Sequence, residues 1–468
     1  MGSSYCYRSL GLLVMIMSKY QPECDRHRLI SHLMKQKAKR TTIKSQKLLT
    51  RAEKSIPRAS QTLSKAPDQF VRGVSPYAIA KGKGCRVWDV DGNEYIDLGS
   101  SLGAIVLGHQ YPLIEKAVLA QRKRGVIFTL PGDIEVDLAE EIKRMIPFVE
   151  SVRFAMNGAD VTGAAVRVAR AYTGRDHIAK CGYHGWTDWT IATHPMRSVG
   201  VPQAVKDLTH EFVYNKLETL EKIFEEYPGQ IAIVTMEAVS TVLPKDGFLQ
   251  AVKELAHKHG AVLMFDELVT GFRLAKGGAA EYFGVTPDLV TYGKAISNGE
   301  PLSVLGGKKE IMDVLSGQDV FFSMTSAGYL PSIAAAIANL KFMRTHDVQK
   351  KLWKTGELLL LHYNKLAKKH GIPTQGEGLG PHPMFNFKDA NGKDDMIMKS
   401  LFIQETAKNG ILTGCSNLTN YSLEVKDVLE VAKRLDKVFA VMAKAIAEGR
   451  VREALEGEPV RPRNKPTV

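Results

Sequence analysis

Short apolar runs alternate with stretches of helical periodicity between about residues 112 and 306, and this alternation constrains the fold most strongly. Parallel strands that are buried on both faces form continuous apolar runs, and a helix must connect each one to the next. The pattern predicts an α/β domain around a mainly parallel sheet. The candidate strands are 151–155, 177–180, 231–236, 261–266, 288–292 and 303–306, and the clearest candidate helices are 133–146, 159–172 and 331–344.

The segments on either side of this region have a different pattern. Residues 84–97 predict a hairpin with its turn at Asp91-Gly92. Helices are predicted near 347–369 and 425–447, which is typical of an α+β region. We expect a large mixed-sheet α/β domain and a small α+β domain, organised as an N-terminal extension (1–45), a segment with the hairpin of the small domain (46–111), the large domain (112–345), the remainder of the small domain (346–455) and a tail (456–468).

The net charge of +13 is concentrated at the N-terminal end. Residues 1–60 hold 13 Lys and Arg against 3 acidic residues, so their net charge is +10 and about +3 remains for the rest of the chain. The extension is expected to be disordered or to be a targeting segment. Alternatively, the true start is Met15 or Met17, and the residues before it are an upstream extension. The body is therefore not expected to bind nucleic acid.

Two further compositional features bear on the environment of the protein. No apolar run reaches the roughly 18 residues that a transmembrane helix needs, so no integral membrane association is expected. The five cysteines are scattered without CxxC spacing. This predicts neither a disulfide framework nor a metal site, and it favours a reducing, cytoplasmic location.

Two ionisable residues follow neighbouring predicted strands. Asp266 ends the run 261–266, and Lys294 comes just after 288–292. Ligands of open α/β sheets bind at the carboxyl ends of the strands, where both side chains are expected. Pyridoxal 5′-phosphate (PLP) needs an amine that forms a Schiff base with its aldehyde and a carboxylate that keeps its pyridine nitrogen protonated. The pair therefore indicates a PLP enzyme.

This pair has two other interpretations. Most lysines that follow a strand are surface residues. An apolar run ending in Asp-Glu also holds magnesium in nucleotide hydrolases, but those enzymes carry a GxxxxGK[ST] phosphate loop, which is missing from this sequence.

Other strand ends carry residues suited to a phosphate and a flat ring. Asn157-Gly158-Ala159 precedes a helix, whose first amides and positive end favour an anion. Tyr183 lies between two glycines after the strand 177–180, where it could stack on an aromatic ring, although a core tyrosine in a turn would look the same. His184 could be a general base or a structural partner, and we favour the second. Glu237 is a second acid at the crevice or an ordinary capping residue.

Several motifs in order carry a resemblance to a known family. Residues 50–450 resemble the class-III PLP-dependent aminotransferases, nearest the glutamate-1-semialdehyde aminomutase group. The resemblance implies the PLP-dependent transferase fold type I of the aspartate aminotransferase superfamily. The motifs that carry it are 87–97, 152–154, 169–176, 183–185, 266–273 and 293–296.

The resemblance implies a role for most of the residues at the strand ends. Lys294 would bind the cofactor and move a proton, Asp266 would pair with the pyridine nitrogen and Tyr183 would stack on the ring. His184 and Glu237 are also expected cofactor-binding residues because of their places at the strand ends, not because of the resemblance. Asn157, Gly158 and Ala159 would receive the phosphate.

By the same resemblance, Thr325 matches the threonine that the family presents to the phosphate from a partner subunit, which implies a homodimer with shared sites. The other interpretation of Thr325 is a cap on the following helix. The expected reaction moves an amino group from a small amino donor to a keto or aldehyde acceptor through pyridoxamine phosphate. An aminomutase or a racemase, and more distantly a non-catalytic binding protein, are the alternatives.

The sequence departs from the family at the phosphate turn and at the substrate side. The family usually has Ser-Gly-Thr-Glu where this chain has Asn157-Gly158-Ala159-Asp160, so a hydroxyl ligand is lost. Lys65 stands where the aminomutase has a substrate-binding arginine, and a lysine cannot make the bidentate pair of an arginine. Lys65 and Ser100 are the candidate substrate contacts.

Overall fold

The computed structural model describes residues 40–240 and 242–462. Most of the predicted extension (1–45), the end of the predicted tail (456–468), Cys6 and Cys24 lie outside the described residues. The described residues from Lys44 onward form one compact unit. Within the described part of the chain, no helix is long and apolar enough to cross a membrane.

Two of the longest helices end at a glycine. Gly174 and Gly371, both with positive φ (68° and 63°), are at these ends, because glycine adopts this left-handed conformation without steric cost. The helices are α1 Ile43–Glu53, α2 Pro112–Arg124, α3 Ile134–Met145, α4 Gly158–Thr173, α5 Asp188–Ile191, α6 Gln203–Asp207, α7 Leu217–Glu226, α8 Phe248–Lys258, α9 Ala279–Phe283, α10 Lys309–Met312, α11 Leu330–Thr345, α12 Val348–His370, α13 Met396–Lys408 and α14 Val425–Ala447.

The strands form three sheets, of seven, four and two strands. All six strands predicted from apolar runs are present within one residue of their expected bounds. The strands are β1 Ile79–Lys83, β2 Arg86–Asp89, β3 Glu94–Asp97, β4 Ser151–Ala155, β5 His177–Cys181, β6 Thr209–Glu211, β7 Ile231–Met236, β8 Val262–Asp266, β9 Leu289–Tyr292, β10 Ser303–Gly307, β11 Thr374–Leu379, β12 His382–Phe387 and β13 Ile411–Leu412.

The large sheet has the order β4-β10-β9-β8-β7-β5-β6. Strands β9, β8, β7, β5 and β6 run parallel, whereas β10 is antiparallel to both β9 and β4. Every residue of β7 and β8 is buried, which explains why these strands are continuous apolar runs. The expected mixed-sheet α/β domain is confirmed.

A smaller sheet joins the segment 79–97 to the C-terminal region of the described chain. β2 and β3 form the predicted hairpin, and the carboxylate of Asp89 accepts hydrogen bonds from the amides of Asp91 and Asn93 in its turn. β13, from the C-terminal region, then pairs parallel with β3. The predicted end of the extension at residue 45 falls inside α1, because Asp91 also accepts from the amides of Lys44 and Ser45.

Candidate active site

A cavity of about 1030 Å³ opens at the carboxyl ends of the central strands of the large sheet. Asp266 and Lys294 both line it, as the sequence predicted from the parallel order of β8 and β9. Residues 61–79 and 412–418 supply much of the opposite wall, so both flanking segments of the chain contribute to this site.

Asp266 is held by hydrogen bonds on both carboxylate oxygens. Its Oδ2 lies 2.8 Å from Nδ1 of His184, while Oδ1 accepts from the amide of Leu268 at 3.0 Å and from the hydroxyl of Thr291 at 3.4 Å. Only 4% of Asp266 is exposed. The carboxylate is therefore fixed in orientation before any ligand binds.

His184 is the residue that fixes it. Its second ring nitrogen, Nε2, lies 3.1 Å from the carbonyl oxygen of Cys181, and its ring stacks on Trp189. A carbonyl oxygen can only accept a hydrogen bond, so Nε2 is the donor in the contact with Cys181. Both nitrogens are engaged, which favours the expected structural role over a general base.

Lys294 follows β9 in a backbone conformation that lysine rarely adopts, with φ at 41°. Burial lowers the pKa of its amine, and the charge of Arg273 acts in the same direction. The carboxylates of Asp266 and Glu237 raise the pKa and so partly oppose this shift. A lysine with a lowered pKa is more often neutral, and a neutral amine can act as a nucleophile or take up a proton.

The start of α4 supplies an anion cradle on the same cavity. Gly158 and Ala159 line it, and the amide of neither has an acceptor among the described residues. Asp160 accepts from the amide of Asn157 at 2.7 Å and caps the helix. A Cβ at Gly158 would lie 2.6 Å from Cδ1 of Leu268, so the close packing requires glycine there.

Tyr183 and Glu237 also line the cavity. Tyr183 follows Gly182, whose φ is 91°, and 49% of the tyrosine is exposed, so its side chain is accessible at the cavity. Burial of its hydroxyl end raises the pKa of Tyr183. Glu237 follows β7, and its carboxylate would lie 3.6 Å from a Cβ at Gly182. Both residues are where the sequence placed them.

The two candidate substrate contacts have different surroundings. Lys65 lines the cavity, and its Nζ donates to Oγ of Ser101 at 3.4 Å. Ser100 is fully buried, its Oγ donates to the carbonyl of Leu418 at 2.6 Å, and it does not line the cavity. Ser100 is therefore a structural residue rather than a substrate contact, because its hydroxyl is buried and bonded to Leu418, and the neighbouring Ser101 lines the cavity instead.

Thr325 is exposed and does not line the cavity of its own chain. The residue that precedes the first turn of α11 is Tyr329, so Thr325 is not the cap of that helix. Arg167 and Arg153 hold its segment by donating to the carbonyls of Phe321 and Phe322. A contact with a partner subunit stays a prediction.

Several lining residues were not predicted. His109 and Asp97, whose side chains lie 3.1 Å apart, come from the small sheet and the segment after it. Arg197 comes from an irregular segment, and Thr413 from the C-terminal region. None follows a predicted strand of the large sheet, so only tertiary contacts bring them to the site.

The combination of a buried amine, a fixed carboxylate and two free amides on one cavity fits PLP. The class-III aminotransferase family model matches residues 70–446. The chain belongs to the class-III aminotransferase family. It is accordingly an enzyme that depends on PLP, and the predicted cofactor and fold type I are confirmed.

The similar proteins include both aminomutases and aminotransferases. The chain is 34% identical over 404 residues to a glutamate-1-semialdehyde 2,1-aminomutase of Syntrophobacter fumaroxidans, which covers 81% of this chain and 92% of that protein. It is 35% identical over 352 residues to a 3-aminobutyryl-CoA aminotransferase of Cloacimonas acidaminovorans, with coverage of 74% and 84%. Both activities are therefore consistent with the sequence of this chain.

Solved structures agree with the fold. The PLP internal aldimine form of the FumI protein of Sphingopyxis sp. MTA144 has a TM-score of 0.81 at 26% identity and covers 89% of this chain and 98% of its own. A transaminase with PLP bound has a TM-score of 0.80 at 26% identity, with coverage of 88% and 100%.

Proposed function

We propose that this enzyme transfers an amino group between two separate small molecules, an amino donor and a keto or aldehyde acceptor. The observation that carries the proposal is the meeting of Lys294, Asp266 and the free amides of Gly158 and Ala159 on one cavity. The volume of about 1030 Å³ is at the upper end of the range for ligand sites, which leaves room for a substrate beside a cofactor.

Each residue has a distinct part in this proposal. When bound, PLP supplies the aldehyde that accepts an amino group and the ring that withdraws electrons from the substrate carbon. The neutral amine of Lys294 takes a proton from that carbon, since its lowered pKa leaves it unprotonated more often. Asp266, oriented by His184, keeps the pyridine nitrogen protonated. The amides of Gly158 and Ala159, next to Asn157, hold the phosphate, Tyr183 stacks on the ring, and Glu237 lies beside it.

A transferase and an aminomutase differ in whether the amino group moves between two molecules or within one. An aminotransferase releases a carbonyl product derived from the donor, whereas an aminomutase converts one molecule into its isomer. We expect the PLP-loaded enzyme to release a carbonyl product from at least one amine in a donor panel, and the Lys294→Ala variant to release none. Isomerisation of glutamate-1-semialdehyde, without release of a carbonyl product from any donor, would establish the aminomutase instead.

We also propose a homodimer in which each site is completed by two chains. The segment around Phe128 supports this, because Ile127, Phe128 and Leu130 are 39%, 53% and 75% exposed, and apolar side chains in such a patch favour a protein partner. Thr325 is exposed as well, although it is expected to approach the cofactor phosphate. A second copy of the chain would cover the apolar segment and use Thr325.

Mixing two inactive or weakened chains tests this arrangement. In a heterodimer of a Lys294→Ala chain with a Thr325→Ala chain, one site carries both lesions and the other carries neither. We expect activity to recover to about half that of the wild-type dimer, with each homodimeric variant as a control. Verified heterodimers that show no recovery would mean that Thr325 acts within its own subunit.

The cytoplasmic location is likewise a proposal. Cys85, Cys181 and Cys415 are buried and none of them is in a disulfide, as expected for a protein that stays in a reducing compartment. Localisation of the full chain by cell fractionation tests this, and recovery with an organelle fraction in a processed form would favour the targeting function of the extension.

A further inference from the structure

Two arginines line the cavity, and they differ in their partners. Arg72 forms an ion pair with Glu53 at 2.8 Å. The guanidinium of Arg197 has no hydrogen bond and no ion pair with any residue in the ranges 40–240 and 242–462. A half-buried guanidinium without an acceptor loses hydration and gains nothing in return, so it is suited to an anionic ligand.

Hydrogen bonds hold the backbone around Arg197 in place. The preceding His194 is buried, its Nδ1 accepts from the amide of Met196 at 3.2 Å, and its carbonyl accepts from the amide of Arg197 at 3.4 Å. Thr193 is anchored by a hydrogen bond of 2.6 Å to Glu211. Met196 and Val199 point to solvent, with 61% and 93% exposure, whereas Arg197 reaches the cavity wall.

Arg197 lines the same cavity as Tyr183, Gly158 and Ala159. Its positive charge acts on the hydroxyl of Tyr183 and lowers the pKa of that group, in opposition to burial. The carboxylate of Asp266 acts on both Tyr183 and Lys294, and the carboxylate of Glu237 acts on Lys294. The free amides of Gly158 and Ala159 already provide a cradle for the cofactor phosphate, which leaves the charge of Arg197 for the substrate.

We propose that Arg197 binds a carboxylate of the substrate and thereby selects amines and carbonyl compounds that carry one. The planar guanidinium can form two parallel hydrogen bonds with a carboxylate. Lys65, another cation that lines the cavity, already donates to Ser101 and offers only a point charge. This inference deepens the proposed amino transfer and rests on it, because a carboxylate held here matters only if the substrate reacts at Lys294.

Binding of glutarate, a dicarboxylate without an amine, to the PLP-loaded enzyme tests the proposal by calorimetry. Hydrogen bonds to charged groups contribute about 1.5–3 kcal/mol, so Arg197→Met should weaken glutarate binding by about 10- to 150-fold. Arg197→Lys should give an intermediate loss. The matched variant Arg72→Met removes an equal charge that Glu53 already neutralises, and it should weaken binding much less.

Three results would overturn the proposal: no glutarate binding by the wild-type enzyme, equal binding by Arg197→Met and wild type, or equal losses in the Arg197→Met and Arg72→Met variants. Turnover separates this failure from failure of the amino transfer itself. We expect Arg197→Met to lose activity with 4-aminobutyrate more than with butylamine, which lacks the carboxylate. If the wild-type enzyme released a carbonyl product from no amine, the proposed transfer would fail, whatever the result with glutarate.

Discussion

The packing of the phosphate cradle can be tested with two glycines of the same helix, α4. Gly158 is its first residue, and a Cβ there would lie 2.6 Å from Cδ1 and 3.1 Å from Cδ2 of Leu268. Gly163 is one and a half turns later, and a Cβ there would meet nothing closer than Nε1 of Trp189 at 4.0 Å. The two substitutions to alanine are chemically identical and differ in the space around them.

The magnitudes follow from this difference. Extra atoms in a packed site cost about 1–3 kcal/mol, whereas alanine in place of glycine inside a helix gains about 0.5–1 kcal/mol. We expect Gly163→Ala to be as stable as the wild type or more stable. Gly158→Ala should be less stable than Gly163→Ala by about 1–4 kcal/mol, since it gains less at the first helical position and displaces Leu268. Leu268 lines the cavity, so its displacement should also weaken PLP binding.

Urea unfolding of both PLP-free variants measures the stability, and titration with PLP measures the affinity. We expect the stability and the PLP affinity both to fall in Gly158→Ala, and neither to fall in Gly163→Ala. Equal stability and equal PLP affinity of the two variants would show that the start of α4 is not packed as described and that it does not form the cradle.

Two further predictions concern the acidic residues at the end of β8. Asp266→Asn should still bind PLP, but its turnover should fall on the order of 100- to 1000-fold, because an amide cannot stabilise a protonated pyridine nitrogen; near-normal turnover would show that Asp266 is only structural. Burial raises the pKa of Glu267 from 4.5 to about 7, although Thr270 donates to its carboxylate. A folded-state pKa above the unfolded value contributes stability that is complete below pH 4.5 and is lost as the pH rises through 7. Urea unfolding at pH 5 and pH 8 should therefore differ by up to roughly 3 kcal/mol from this group, and Glu267→Gln should remove that difference; an unchanged pH dependence in the variant would refute the assignment.

The strands of the large sheet were predictable from the sequence where they are buried on both faces. β7 and β8 are buried along their whole length, so each appears as an apolar run that only a central parallel strand requires. β6 was not predicted, because Thr209–Glu211 is a three-residue edge strand with the polar sequence Thr-His-Glu. Besides the backbone pairing with β5, its side chains make polar contacts, His210 with His177 and Glu211 with Lys180, and these give no apolar run in the sequence.

The site was predictable to the same extent. Asp266 and Lys294 follow directly from strand ends, since the sheet topology determines where such residues meet. Ser100 could not be placed correctly, because the left-handed backbone at three successive non-glycine residues, 100–102, has no signature in the sequence. Arg197 was not identified either, since it lies in an irregular segment and its proximity to Tyr183 arises only from the tertiary structure.

The identity of the lysine that binds PLP tests the account most directly. Reduction with borohydride fixes the cofactor on that lysine, and peptide mapping then locates it. The account predicts label on the peptide that contains Lys294, and no label on it in the Lys294→Ala variant. Lys180 provides the critical comparison, because it is buried and burial lowers its pKa too, yet it lies beside Glu211 rather than on the cavity. Label on Lys180, or on any other lysine of the wild-type enzyme in place of Lys294, would contradict the assignment of the active site.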